Sequence, residues 1–404
     1  MTTVQQQVFN KEQARYATLS FFLAQGLCFS SWASRIPDIK EIFASDYLFY
    51  WGLILFLIPV GKFLAIPIAG YLVTKLSSSV MVRFSIAGYA LSLLAIGWVP
   101  SIYLLGVFLF SFGIFWNLCD ISLNTQGIAI ERAYGRAIIA SFHGGWSLAA
   151  CLGALIGFGM IVWEVSPGYH FLLIALLIGI ILLISGRYLT NDRPAESTEK
   201  TKEKGEKPWY LKKPETLLLQ LGLVGLFALV IEGAMFDWSG VYFESVLQVP
   251  KSLQIGFLVF MVMMTVGRFL TNYAYGLWGK RRVLQLAGTF IFIGFFTTGL
   301  LAGFFEGLIA KVIVNSLGFM LVGLGISCIV PTNYSFVGAK SKTPVGIALT
   351  ILSSISFIGS LIAPLLIGGI SQLFNMQYAY LVVGVMGLFI VLMATFSEAY
   401  KTES

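Results

Sequence analysis

Three carboxylates, Asp120, Glu232 and Asp237, stand inside long apolar runs of the sequence, and two cations, Lys62 and Arg268, do the same. A charge placed in hydrocarbon costs at least about 2.5–3.5 kcal/mol, so each of these residues needs a partner or a use. Three acids against two cations leave one carboxyl over after pairing, and a carboxyl without a fixed partner suits reversible protonation. Glu232, near the middle of its run, is the preferred proton carrier on this reading. Asp237 follows five residues later, about 140° further round a helix. The two share a face only if the helix unwinds near Gly233 or Gly240.

A second constellation lies earlier. Asn117, Asp120 and Asn124 recur at i, i+3 and i+7, which places them on one helix face. The next apolar run carries His143 and Trp146 at i and i+3, and helix rise puts His143 at about the depth of Asp120. A carboxylate–imidazole pair there would take up and release protons near neutral pH, whereas a histidine capping a backbone carbonyl would not titrate. Gln25 and Trp32, seven residues apart, form a further shared face. Lys62 and Arg268 have an alternative to pairing, since long basic side chains snorkel toward headgroups.

The elements that hold these residues follow from composition. Of 404 residues 57% are hydrophobic and only 11% charged, and the mean hydropathy is +0.85. Lipid is therefore the expected solvent for most of the surface. Apolar runs of about 20 residues match the length of a membrane-crossing helix, and they are too long and too uniform for the alternating strands of a β-barrel. The expected spans cover about 14–36, 48–73, 80–99, 102–128, 137–162, 169–190, 215–243, 253–277, 282–303, 308–337, 344–370 and 377–397. With twelve spans, 20 of the 26 basic residues fall on the side of the termini and four on the other, the rest being embedded. That bias predicts a multi-pass protein of the cell inner membrane with both termini cytoplasmic. The first run is long enough to stay as a span, and the N-terminus lacks a cleavable signal.

Other classes find little support. The charge of +7 sits in short loops, which reads as a topology signal rather than a nucleic-acid surface. Two histidines and four scattered cysteines predict neither a metal site nor disulfides. No G-x-x-x-x-G-K-[ST] loop points to direct ATP drive, and no cofactor is expected. No catalytic cluster of metal-spaced His/Asp or Ser/His type is present, so an intramembrane enzyme or sensor is the remote reading.

The stretch Asn191–Pro214 is charged and almost free of aliphatic residues, and it divides the spans six and six. The expected organisation is a bundle over 1–190, a cytoplasmic linker over 191–214 and a second bundle over 215–404. An internal repeat supports it. Gly61-Lys62-Phe63-Leu64 with Gly70 mirrors Gly267-Arg268-Phe269-Leu270 with Gly276 at an offset of 206 residues, and the same offset carries Trp32 onto Trp238. These glycines suit close helix packing or gating.

Two six-helix halves, a charged linker and Gly/basic elements at spans 2–3 and 8–9 resemble the major facilitator superfamily across essentially the full chain. Gly279-Lys280-Arg281-Arg282 is similar to the family's cytoplasmic gating motif, while in the first half Thr74 replaces its acid and Ser77–Ser79 its Gly-Arg-Arg. Trp32-Ala-Ser-Arg35-Ile-Pro37 and Glu232-Gly-Ala-Met-Phe-Asp237-Trp238 resemble a bacterial branch near the fucose permeases. The resemblance implies an all-α, twelve-helix membrane fold, a monomer, and a central cavity lined by spans 1, 4, 7 and 10. Gln25, Trp32, Asn117, Asn124, Trp146 and Trp238 would then suit a polyol or sugar, amides bonding hydroxyls and indole faces stacking on ring C–H groups. Trp32 and Trp238 suit an interfacial belt equally well. The expectation is a secondary transporter of a small polar solute working by alternating access, with protons as coupling partner. A proton-driven exporter of amphipathic compounds is the alternative on the same fold.

Overall fold

The computed structural model describes residues 10–43, 47–135, 138–190 and 215–400. The charged stretch 191–214 and the surroundings of Gly70 lie outside what is described. Among the described residues all regular structure is helical. Hydrocarbon offers no water to an open strand edge, whereas a helix bonds its own backbone.

The helices are α1 (Lys11–Ser34), α2 (Ile36–Ile42), α3 (Leu48–Leu76), α4 (Ser78–Ile96), α5 (Ile102–Tyr134), α6 (Ile139–Val162), α7 (Pro167–Ser185), α8 (Thr216–Val241), α9 (Gly256–Gly299), α10 (Leu308–Ile326), α11 (Ile329–Lys340), α12 (Val345–Leu373) and α13 (Met376–Phe396). Among the described residues ten stretches are long and apolar enough to cross a bilayer. One of them, the 54 residues Lys251–Phe304, holds two spans. It bends at Gly279, whose φ of 74° and ψ of 155° residues with a Cβ rarely adopt. α1, with its Ser and Gln residues, completes the twelve.

Besides this merger of the eighth and ninth expected spans, two elements differ from the sequence expectation. The first span stops at Ser34 and turns at Arg35 into the short helix α2, because Pro37 has no N–H for a carbonyl four residues back. The tenth span divides into α10 and α11 at Ser327–Cys328, where Pro331 has the same effect.

The chain packs as two compact units. The first comprises 1–31, 60–153 and 168–202, and the second 32–59, 154–167 and 203–404. Within the first, α4 lies along α5; within the second, α9 packs on α10 and α13, and α8 on α12. The 206-residue repeat recurs in the packing. A Cβ on Gly61 of α3 would collide with the Phe110 carbonyl of α5, and one on Gly267 of α9 would collide with Ser327 at the end of α10. Span 2 thus meets span 4 as span 8 meets span 10, each through a glycine. Gly276, by contrast, has open space around it.

Candidate functional site

In the first unit α5 supplies Trp116, Asn117, Asp120 and Asn124, α3 supplies Lys62, α6 supplies His143 and Trp146, and α1 supplies Gln25 and Phe29. The Lys62 ammonium lies over the Trp116 indole, 3.7 Å from the ring centroid. A cation held against an aromatic face in a dry setting is worth about 2 kcal/mol. Asp120, half-buried, has His143 and Lys62 as charged neighbours and the Gln25 amide within bonding reach. Lys62 therefore turns into the bundle rather than snorkelling out.

The amides of the α5 stripe are spent on this arrangement. Asn117 Nδ2 donates to the Lys62 carbonyl at 2.7 Å, tying α3 to α5. Asn124 Nδ2 donates to the Asp120 carbonyl at 2.9 Å, while its Oδ1 sits 3.1 Å from His143 Nε2. If Oδ1 accepts that bond, Nε2 is the protonated nitrogen and Asn124 fixes the ring. Gln25 is fully buried and donates to the Trp116 carbonyl at 3.5 Å. Aromatic faces remain. Phe29 meets Trp116 at 4.9 Å and Trp146 at 5.7 Å between centroids, and Tyr89 lies 6.2 Å from Trp116. His143, exposed, lies edge-on to Phe22.

In the second unit Glu232 of α8 pairs with Arg268 of α9 at 3.7 Å. α8 stays helical from Thr216 to Val241 and only then passes into a π-helical turn, Tyr242–Val246. Without unwinding at Gly233 or Gly240, Asp237 points about 140° away from Glu232. Asp237 is half-buried. Trp32 and Trp238 are both enclosed in packed interior, facing neither an opening nor lipid. Lys62 and Arg268 are repeat-equivalent, yet their acids come from α5 in one unit and α8 in the other.

Sequence reasoning missed two groups. Trp116 stands one residue off the Asn–Asp–Asn stripe, but its i, i+4 relation to Asp120 was a readable signal. The other is an ionic cluster at the α1–α2 turn, within the second unit. Arg35 pairs with Asp38 at 2.6 Å and donates to the Val165 carbonyl at 2.6 Å. Lys40 pairs with Glu244 at 3.4 Å and donates to Ser245 at 3.2 Å, and Pro37 rests against Gly240.

Comparison with known proteins adds the family. A model described as the Major Facilitator Superfamily matches residues 17–344. An uncharacterized transporter of Sinorhizobium fredii is 29% identical over 381 residues, which is 94% of this chain and 96% of that protein. An uncharacterized MFS-type transporter of Yersinia pestis is 28% identical over 365 residues, 90% of each. Among solved structures, a mutant of the nucleoside transporter NupG matches with a TM-score of 0.74 over 95% of this chain and 100% of that one. At 11% identity, that likeness speaks for the fold alone.

Proposed function

The chain belongs to the Major Facilitator Superfamily and is a multi-pass membrane transporter, and on that premise we propose that it carries a small polar, sugar-like solute together with a proton. The observation that carries this reading is the group Lys62, Asp120 and His143 set beside the Trp116 indole. A proton arriving at Asp120 would cancel its charge and with it the attraction on the nearby Lys62 ammonium, which is then held by the Trp116 face alone. His143, exposed and oriented by Asn124, can pass that proton. Glu232 pairs with the Arg268 guanidinium at 3.7 Å, and its part on this reading is to open and close with Arg268. The solute would stack on the Trp116 and Trp146 faces and bond its hydroxyls to Lys62, Asp120 and His143, since the Asn117 and Asn124 amides are already occupied. With the termini inside, the Arg35–Asp38 and Lys40–Glu244 cluster would lie at the outer end of the second unit, and Lys40–Glu244, which joins α2 to the turn after α8, is the contact proposed to part during alternating access.

The test is uptake of radiolabelled sugars, polyols and nucleosides into proteoliposomes, with and without an inward proton gradient. Nucleosides join the panel because the fold neighbour transports them and because a ribose and a flat base need the same chemistry. Gradient-stimulated uptake of one class, lost in Asp120→Asn, is the expected result. No uptake of any member, with gradient-driven movement of an amphipathic dye in inverted vesicles, would replace the reading with export.

A further inference from the structure

A cavity of about 950 Å³ opens in the second unit between the start of α8, the bend of α9, α11 and the turn after α13. Its polar lining includes Thr216, Tyr275, Lys280, Ser335, Lys340 and Glu398. Three independent features give it positive character. First, Thr216 and Leu217, the opening turn of the 26-residue α8, line it, and the Glu215 side chain does not cap that helix end. The preceding residue, Glu215, turns its carboxylate instead to the amides of Lys342 and Thr343. First-turn amides place partial positive charge at that end of the helix, beside the cavity.

Second, Lys280 follows the bend at Gly279 and donates to the Ser335 hydroxyl, while Arg281 beside it donates to the carbonyls of Ala394 and Thr395. Among the described residues neither Lys280 nor Arg281 meets a carboxylate; their partners are neutral. Third, Lys340 reaches the Glu398 carbonyl at 3.3 Å and brings a second ammonium to the lining. A neutral sugar-like solute has no charge to match this set.

We propose that this cavity is a binding site for a phosphate-bearing anion, held by Lys280, Lys340, the Ser335 and Thr216 hydroxyls and the open end of α8. Two ammoniums and a helix N-terminus are the donors that phosphate oxygens seek. The same chemistry fits the headgroup of an acidic phospholipid and free phosphate. Glu398 at the lining makes the site suit one phosphate group rather than a long polyanion.

The experiment uses the full chain, purified as wild type, Lys280→Arg, Lys280→Gln and Lys280→Gln/Lys340→Gln. In one arm, inorganic phosphate is titrated in neutral detergent at constant ionic strength and the thermal unfolding midpoint is followed. In the other, the midpoint is compared in nanodiscs of phosphatidylcholine with and without phosphatidylglycerol. A rise with phosphate identifies a free anion, and a rise with phosphatidylglycerol alone identifies a lipid headgroup. In either case the double variant should bind at least tenfold more weakly, with Lys280→Arg close to wild type. No rise in either arm, or the same rise in a folded double variant, overturns the proposal. Both readouts are independent of transport, so a failure of the solute reading leaves this test intact.

Discussion

Replacing Asp120 by Asn removes the carboxylate beside Lys62 while keeping the shape of the side chain. The two side chains are half-buried neighbours, so their attraction is screened and worth about 1 kcal/mol. The ammonium left in Asp120→Asn keeps the Trp116 face at 3.7 Å, so that variant is expected to lose about 1 kcal/mol. Lys62→Met loses the charge attraction and the aromatic contact together, so its expected cost is higher, about 2 kcal/mol. In the double variant the charge attraction is lost only once, and the loss should again be about 2 kcal/mol, leaving a coupling of roughly 1 kcal/mol between the sites. The assay is unfolding of the four proteins in mixed micelles, followed by circular dichroism or tryptophan emission. Losses that simply add, within about 0.5 kcal/mol, would refute the pairing and with it the role given to Asp120.

Three further outcomes follow from the geometry. Arg35→Met, which breaks a buried pair and the bond to the Val165 carbonyl, should lower stability by about 3 kcal/mol or more, whereas Lys40→Met in the longer pair should cost under about 1 kcal/mol. Thermal midpoints of the two variants settle that order. Gly61→Ala, whose Cβ would collide with the Phe110 carbonyl, should cost about 1–3 kcal/mol, while Gly276→Ala, in open space, should stay within about 0.5 kcal/mol, as read by yield of folded protein and midpoint. Burial pulls the Glu215 carboxyl upward, but bonds from the Thr343 hydroxyl and the Lys342 and Thr343 amides outweigh it and hold it below its ordinary value. A depressed carboxyl adds stability above its unfolded value and loses it as pH falls through the folded one. The advantage of wild type over Glu215→Gln should accordingly be full at pH 7 and fade on acidification below about pH 4. A gap that stays constant from pH 7 down to pH 3 would contradict it.

The spans were legible because bilayer thickness demands one length of apolar helix, and every expected segment has its helix. Less legible was how helices end. Gly279 read as part of a loop between two spans, but the chain bends there without a separate connector. Pro37 and Pro331 marked the breaks after Ser34 and Ile326, yet a single proline in a span reads equally well as a kink. At the site, helical period placed Asp120 with Asn117 and Asn124, and depth placed it with His143. What period cannot give is the partner across the groove. Asn117 and Asn124 read as free amides for a solute, but a neighbouring backbone carbonyl, whose position depends on how α3 crosses α5, takes up the first. Arg35 and Lys40 read only as charges on the sparse side of the membrane; the Arg35–Asp38 pair, at i, i+3, was within reach of the sequence, but Val165 and Glu244 lie 130 and 204 residues away.

The most direct test of the account is the movement of protons with solute. Proteoliposomes in lightly buffered medium, with no imposed gradient, are given the solute found by the uptake panel, and external pH is recorded. Alkalinisation on addition is expected in wild type and none in Asp120→Asn, with the variant still exchanging labelled solute across the membrane. Solute entry in wild type without any pH change, or an undiminished pH change in Asp120→Asn, would contradict it.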